Sequence, residues 1–209
     1  GEYSPEYLAE HLGGIAQAQG YGLDKEIPPR PPLMCPGCPH RGVFHTFKRM
    51  RLKVMGDIGC YTLGALPPFR TISSCIDMGS SITVARGAAD AGLWPSVAVI
   101  GDSTFTHSGI TSLLDAANVN ANIVVIISDN LTTGMTGGQD SAGTGKLEAI
   151  CAAVGVDPAH IRTVIPLPKN MPEITRIIRE EIEYEGLSVI IPRRECIQTA
   201  KRHAKERNK

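Results

Sequence analysis

The chain has 209 residues, 42% of them hydrophobic and 20% charged, with 21 basic residues set against 21 acidic ones. Those values suit one folded domain and exclude whole-chain disorder, and the balanced charge leaves no global field that would draw the chain to nucleic acid or an anionic membrane. No apolar run approaches the roughly 18 to 20 residues of a membrane helix. The opening Gly1-Glu2-Tyr3-Ser4-Pro5 carries no basic-then-apolar leader, so the expectation is a cytoplasmic protein. Six cysteines without a secretory signal then point to metal or redox chemistry in a reducing compartment.

In chain order, residues 1–34 read as a lead-in. Ser4 to Gln19 can form a helix with Leu8, Leu12 and Ile15 on one face, and Ile27-Pro-Pro-Arg-Pro-Pro32 is too rich in proline for helix or central strand. Such a strap hints at a preceding segment in the polypeptide or a neighbour in a complex. Residues 35–196 read as one α/β domain. Val97 to Gly101 and Ile123 to Ser128 are short runs apolar on both faces, as buried parallel strands are. Weaker strands are Lys53 to Gly56, Thr163 to Pro166 and Ser188 to Ile191. Helical spacing covers Ser80 to Ala91, Ser108 to Val119, Lys146 to Val154 and Pro172 to Glu185. Strand and helix in alternation predict a doubly wound parallel sheet. Residues 197–209 form a basic tail, read as a solvated terminus because no aromatic residues interleave the charges.

Both strong strands end where a parallel sheet places its ligand. Gly101-Asp102 closes the first and Asp129-Asn130 the second, with Asn130 28 residues after Asp102. A bare Gly-Asp is a weak signal, since turns use it often; the paired Asn strengthens it. If the strands are neighbours, the carboxylate and the amide oxygen converge, and two hard oxygen ligands beside a diphosphate suit Mg²⁺. Ser108 is expected to cap the following helix. The Gly-x-Gly-x-x-Gly dinucleotide fingerprint is absent.

Cys35-x-x-Cys38 lies in a Pro/Gly loop, Cys60 follows a predicted strand and Cys196 follows the last one. Four thiolates at one sheet edge make either a structural zinc site or an iron–sulfur cluster, and the spacing leaves both open. Cys75 and Cys151 read as unligated, and Asp57 and Asp77 as loop or cap carboxylates.

Several motifs carry a family resemblance. They are Cys35-Pro-Gly-Cys-Pro-His-Arg41, Gly56-Asp-Ile-Gly-Cys-Tyr-Thr-Leu-Gly64, Met78-Gly-Ser-Ser-Ile82, Gly101-Asp-Ser-Thr-Phe-Thr-His-Ser-Gly109 and Asp129-Asn-Leu-Thr-Thr-Gly-Met-Thr-Gly-Gly-Gln139. From about Pro29 to Cys196 the chain resembles the α subunits of indolepyruvate ferredoxin oxidoreductases, which use thiamine diphosphate. The resemblance implies a thiamine-diphosphate-binding fold in which Asp102, Asn130 and the backbone oxygen of Thr132 bind Mg²⁺. It implies that Gly101, Ser103, Thr104, Gly134, Met135 and Thr136 line the diphosphate and thiazolium, with Cys60, Tyr61, Met78 and Gly79 also at the cofactor. It favours a 4Fe-4S cluster on Cys35, Cys38, Cys60 and Cys196, and lets His107 and His40 face the substrate, each of which can equally be a structural histidine.

The implied reaction is oxidative decarboxylation of an arylpyruvate, with coenzyme A taking the acyl group and ferredoxin the electrons. Gly137-Gly138 supplies no fixed cation for a second carboxylate, which agrees with an aryl tail. The pyrimidine-contacting glutamate belongs to a separate domain, and a cysteine-rich domain and a gamma-type domain complete the family assembly. Neither the glutamate domain nor further Cys-x-x-Cys clusters are found in this chain, so it is expected to be a fragment or one subunit of a split complex, inactive alone. The rival readings are a non-oxidative thiamine-dependent decarboxylase component and a zinc-stabilised binding module.

Overall fold

The computed structural model describes residues 5–12, 28 and 32–207. The chain divides into two compact units, Gly1–Pro31 and Pro32–Lys209. In the first, helix α1 (Pro5–Leu12) leaves Leu8 and Leu12 exposed; the rest of the expected helix, with Ile15, lies outside the described residues. No helix among the described residues is long and apolar enough to cross a membrane.

In the second unit, α2 (His40–Met50) leads into β1 (Val54–Gly56), a 3-10 turn (Cys60–Ala65), β2 (Ile72–Cys75), α3 (Ser80–Asp90) and β3 (Val97–Gly101). A continuous helical stretch follows: α4 (Asp102–Thr104), a π turn (Phe105–Gly109) and α5 (Ile110–Asn118). Then come β4 (Val124–Ser128), a hairpin of β5 (Thr132–Thr133) and β6 (Gln139–Asp140), α6 (Leu147–Ala153), β7 (Ile161–Val164), α7 (Met171–Glu183), β8 (Ser188–Pro192) and α8 (Ile197–Arg207).

Six strands form one parallel sheet in the order β2-β1-β3-β4-β8-β7. The chain is α/β, as its strand and helix alternation predicts. Alternate residues on each central strand feed two cores, because successive side chains leave opposite faces of a pleated strand. Val97, Val99, Val124, Ile126 and Ile190 pack on Phe44 and Phe47 of α2 and Ile174 and Ile178 of α7. Ala98, Ile100, Val125, Ile127, Val189 and Ile191 pack on Ile82 of α3, Leu113 of α5 and Leu147 and Cys151 of α6.

Four features depart from expectation. Helix α2 starts immediately after the Cys-x-x-Cys loop and buries Val43, Phe44 and Phe47. Strand β2 sits at the sheet edge, where the half-polar Ile-Ser-Ser-Cys run suffices because only alternate residues need cover. Strand β7 begins at Ile161, because the turn Pro158–His160 is capped by the Asp157 carboxylate accepting from the Ala159 N–H at 2.9 Å and delivers the chain to the sheet there. The basic tail is helical over Ile197–Arg207.

Candidate active site

The cleft lies where the sheet changes direction. Strands β1 and β3 are neighbours, yet the chain leaves β1 toward β2 on one side and leaves β3 toward β4 on the other. Divergent connections open a crevice at the carboxyl ends of the strands, where α/β proteins hold their ligands. The crevice is open to solvent, holds about 140 Å³ and draws its walls from the segments after β1, β3 and β4.

Its floor is made of oxygen. Asp102 follows β3 directly and is 2% exposed, and its Oδ2 has no hydrogen-bond partner. Burial pushes its pKa up to about 6 and the Asp129 charge adds to the rise; Ser141 Oγ, buried nearby, makes no hydrogen bond either. A buried carboxylate oxygen without a donor is costly unless a cation meets it. Asn130 follows β4 and lines the same cleft. Its Oδ1 accepts the Thr132 N–H at 3.2 Å, and its Nδ2 donates to His40 Nε2 at 3.4 Å. Burial lowers the His40 pKa to about 4, so the ring is a neutral acceptor. The adjacent Asp129 is satisfied instead: Arg193 Nε donates to it at 2.5 Å and the Leu131 N–H at 3.1 Å. That second bond closes a turn with Leu131 at φ +61°, which presents Asn130 and Thr132 to the cleft.

The opposite wall hangs on Asp57, fully buried at the end of β1. Its carboxylate accepts from the Tyr61 hydroxyl, from Ser81 Oγ at 2.8 Å and from the Gly79 N–H at 3.1 Å. It is therefore an organising acceptor, beyond the loop or cap carboxylate its sequence position suggests. The Tyr61 ring lies against Gly59 and Gly101, either of which would strike it with a Cβ. Ser108 caps nothing, because the helix already begins at Asp102. From the π turn its hydroxyl donates to the Met78 carbonyl at 2.8 Å. Thr104 Oγ1 donates to the Ile58 carbonyl at 3.0 Å, and Ser103 Oγ pairs with Thr133 Oγ1 at 2.8 Å.

Gly101, Asp102, Ser103, Thr104, Asn130, Thr132, Gly134, Met135, Thr136, Cys60, Tyr61, Met78 and His40 all line the cleft. Gly79 is buried beside Met78 and begins α3 with φ +97°. His107 is exposed on the π turn and does not reach the cleft. The turn adds a residue between Asp102 and α5 and carries that side chain outward. Ile58, Gly59 and Thr133, which lie inside the quoted motifs, and Ser128, at the end of a predicted strand, also line the cleft, though the motifs alone assign them no role.

Cys35, Cys38, Cys60 and Cys196 are half-buried. Burial, with added repulsion from Cys60, Cys35 and Cys196, pushes the Cys38 thiol up to about 11, and Cys60 is raised by burial, Cys196 and Cys35. Cys60 Sγ lies 3.3 Å from where a Cβ on Gly134 would stand, so this thiol belongs to both the group and the cleft wall. Among the described residues, no three His, Cys, Asp or Glu side chains are drawn together as a ready single-ion site. Cys75 is exposed on edge strand β2, and Cys151 is in the core.

Comparison with known proteins agrees with this geometry. The family of thiamine pyrophosphate enzymes, described by their C-terminal TPP binding domain, matches residues 57–191. The chain belongs to this family. As a TPP-binding domain it is 37% identical over 201 residues to indolepyruvate oxidoreductase subunit IorA of Pyrococcus horikoshii, covering 83% of this chain and 30% of that protein. It is 36% identical to the IorA subunit of Archaeoglobus fulgidus, with 90% and 32% covered, and 35% to that of Methanothermobacter thermautotrophicus, with 94% and 35% covered. The chain thus spans about a third of the length of these relatives. In fold, the TPP-binding domain is similar to a 2-oxoglutarate:ferredoxin oxidoreductase from Magnetococcus marinus, solved with 2-oxoglutarate, coenzyme A and succinyl-CoA. The TM-score is 0.64 at 20% identity, over 80% of this chain and 65% of that one. Benzoylformate decarboxylase from Polynucleobacter necessarius shares the fold at a TM-score of 0.56 and 16% identity, over 73% and 32%.

Proposed function

We propose that this chain is the thiamine-diphosphate and Mg²⁺-binding portion of a 2-oxoacid ferredoxin oxidoreductase of the indolepyruvate type. The assembly decarboxylates an arylpyruvate, passes the acyl group to coenzyme A and sends the electrons through a 4Fe-4S cluster to ferredoxin. Cys60 carries this reading, since its thiol both lines the cleft and interacts with Cys35, Cys38 and Cys196. A decarboxylase that releases no electrons has no use for a redox centre at the wall of its cofactor cleft.

In this reading Asp102, Asn130 and the Thr132 backbone hold Mg²⁺, and the unpartnered Oδ2 of Asp102 is the oxygen the cation satisfies. Ser103, Thr104, Gly134, Met135 and Thr136 receive the diphosphate and thiazolium. Bound thiamine diphosphate supplies the electron sink for loss of carbon dioxide. The chain's own residues bind and orient: burial around Asp102 strengthens its attraction to a cation, and neutral His40 holds the Asn130 amide without placing positive charge beside the ion. Ile58, Tyr61 and Met78 give the cleft an apolar side, which suits an uncharged aryl tail; a cation does stand at Gly137-Gly138, contrary to the sequence expectation, but the Arg202 fork is engaged by their two carbonyls. The pyrimidine-binding and gamma-type domains of the assembly are the partners.

The test is to produce the chain anaerobically with its partner subunits and follow phenylpyruvate- and coenzyme A-dependent ferredoxin reduction, with iron and sulfide analysis. About four irons per chain and substrate-dependent reduction are expected. Carbon dioxide release without reduction would establish the decarboxylase instead. Iron-free protein holding zinc would establish the binding module.

A further inference from the structure

Helix α8 does more than end the chain. It starts one residue after Cys196, whose N–H donates to the Asn130 carbonyl at 3.0 Å, so its root is fixed to the cleft floor. In its first turn Gln198 Nε2 donates to Cys35 Sγ at 3.6 Å. One turn further, Arg202 reaches the loop joining β5 to β6. Its Nη1 donates to the Gly137 carbonyl at 2.9 Å and its Nη2 to the Gly138 carbonyl at 3.0 Å.

That loop is the lip of the cleft. Gly134, Met135 and Thr136 line the cavity. Inside the loop, Thr136 Oγ1 donates to Gln139 Oε1 at 2.7 Å, Gln139 Nε2 donates to the Thr136 carbonyl at 2.7 Å, and the Gly138 N–H donates to the Thr133 carbonyl at 3.0 Å. These bonds keep the hairpin's shape but do not fix it to the body of the domain. Among the described residues, Arg202 is the side chain outside the hairpin that hydrogen-bonds to Gly134–Gln139. Gly137 and Gly138 stand at φ +121° and +78°, a conformation suited to glycine, and a Cβ on Gly138 would strike the Arg202 guanidinium and come 3.4 Å from Thr199 Oγ1. Two consecutive glycines therefore let the guanidinium fork close over two consecutive carbonyls, a pairing a single ammonium cannot reproduce.

We propose that Arg202 is a positioning residue that holds the Gly134–Gln139 lip against the cleft, so that α8 sets how tightly the cleft retains its ligand. The effect on ligand rests on reading the cleft as a thiamine diphosphate site; the effect on the loop does not.

The experiment compares the chain, assembled with its partner subunits, as wild type and as Arg202→Gln, Arg202→Lys and, as a control on an exposed position of the same helix, Lys205→Gln. Amide hydrogen exchange is followed without cofactor, and thiamine diphosphate with Mg²⁺ is titrated by calorimetry. Arg202→Gln is expected to speed exchange of residues 134–139 about fivefold, leave β3 and β4 unchanged, and weaken cofactor binding about fivefold, as expected from losing two solvent-exposed hydrogen bonds. Arg202→Lys should fall between wild type and Arg202→Gln, and Lys205→Gln should match wild type. Unchanged exchange and affinity in Arg202→Gln would overturn the proposal, and so would faster exchange spread through β3 and β4, which would make Arg202 a general stability residue. If the wild-type assembly fails to bind thiamine diphosphate, the reading of the cleft fails, and the exchange comparison still decides whether Arg202 holds the lip.

Discussion

On the floor of the cleft, Asp102, Asn130 and Thr132 are each at most 6% exposed and stand at strand ends or in a turn closed by hydrogen bonds. On its rim, Cys35, Cys38, Cys60 and Cys196 are half-buried and come from three separate segments with few bonds holding their sulfurs. The floor is preorganised: its principal unmet contact is Asp102 Oδ2, so a cation and its diphosphate can bind with little rearrangement. The rim stays unfinished until something joins the thiols. Burial, with added repulsion among the thiols, raises the pKa of both Cys38 and Cys60, so a metal centre must displace protons and draw in three loops as it loads. The two regions meet at Cys60, and substitutions can separate them.

The largest effect should come at the rim. Cys60→Ser is expected to abolish the cluster signal in electron paramagnetic resonance of anaerobically reduced protein while lowering thiamine diphosphate affinity far less than Asp102→Ala does, because the sulfur lines the cleft wall and not its oxygen floor. Cys151→Ser should retain the full signal, since its thiol is packed in the core on the helix side of β4 and β8. Loss of iron in Cys151→Ser with retention in Cys60→Ser would invert the assignment of the thiols.

Asp102→Ala makes the complementary cut. Removing a buried cation ligand should lower Mg²⁺-dependent thiamine diphosphate affinity at least a hundredfold, on the order of 3 kcal/mol, in line with the cost of stripping a partner from a buried charge. The fold should hold, since the same change removes an unpartnered buried carboxylate. Calorimetry with iron analysis reads both regions at once: affinity lost with iron kept supports two separable sites, and unchanged affinity takes Asp102 out of the metal site.

A smaller effect is expected from the wall. Asp57→Asn keeps the shape of the side chain but turns one of its acceptor oxygens into a donor, facing either the Tyr61 hydroxyl at Oδ1 or Ser81 Oγ and the Gly79 N–H at Oδ2. The mismatch should cost about 2 kcal/mol of stability and weaken cofactor binding several-fold, because Tyr61 and the Met78-Gly79 turn lose their anchor. Urea denaturation and calorimetry would check both, and a variant as stable as wild type would show that the wall does not depend on this carboxylate.

Much of the geometry of the floor was legible in the sequence because the same short code states strand, candidate oxygen ligand and turn together: Val97 to Gly101 then Asp102, and Ile123 to Ser128 then Asp129-Asn130. The sheet followed from those runs because residues buried on both faces leave an unmistakable apolar stretch. Asp57 carried the same Gly-Asp signal after β1 and was read as a loop carboxylate, because nothing in a linear sequence says that Ser81 and Gly79 fold back to donate to it. Strand β2 escaped for a different reason, since Ser73 and Ser74 at a sheet edge give no apolar run. Helix α8 escaped because its cohesion is tertiary: with only Thr199 buried, it is held by Arg202 and by its root at Cys196, and its composition alone reads as a solvated tail. The outward turn of His107 depends on the π turn, which motif spacing does not encode.

The smallest effect tests how far the floor's support extends outward. Arg193 grips Glu148 with two bonds, Nη1 to Oε1 at 2.8 Å and Nη2 to Oε2 at 2.9 Å, while its Nε serves Asp129. The guanidinium holds the Glu148 carboxyl down to about 2 from an ordinary 4.5. Because the Glu148 side chain is 39% exposed, solvent screens the pair, and its contribution should be about 1 kcal/mol, well short of what the full shift would imply. The folded-state pKa is depressed, so this stability is present above pH about 4.5 and is lost as the pH falls toward about 2. Glu148→Gln should therefore be about 1 kcal/mol less stable than wild type at pH 7, with the difference shrinking across that window and vanishing near pH 2; urea denaturation at a series of pH values measures it. Asp129 keeps its bond from Arg193 Nε in this variant, so the Asn130 turn should survive and cofactor affinity should change less than about twofold. A loss as large as that of Asp57→Asn would mean that the floor is preorganised by the outer ion pair as well as by its own turn, and the boundary between floor and surround would have to be redrawn at Glu148.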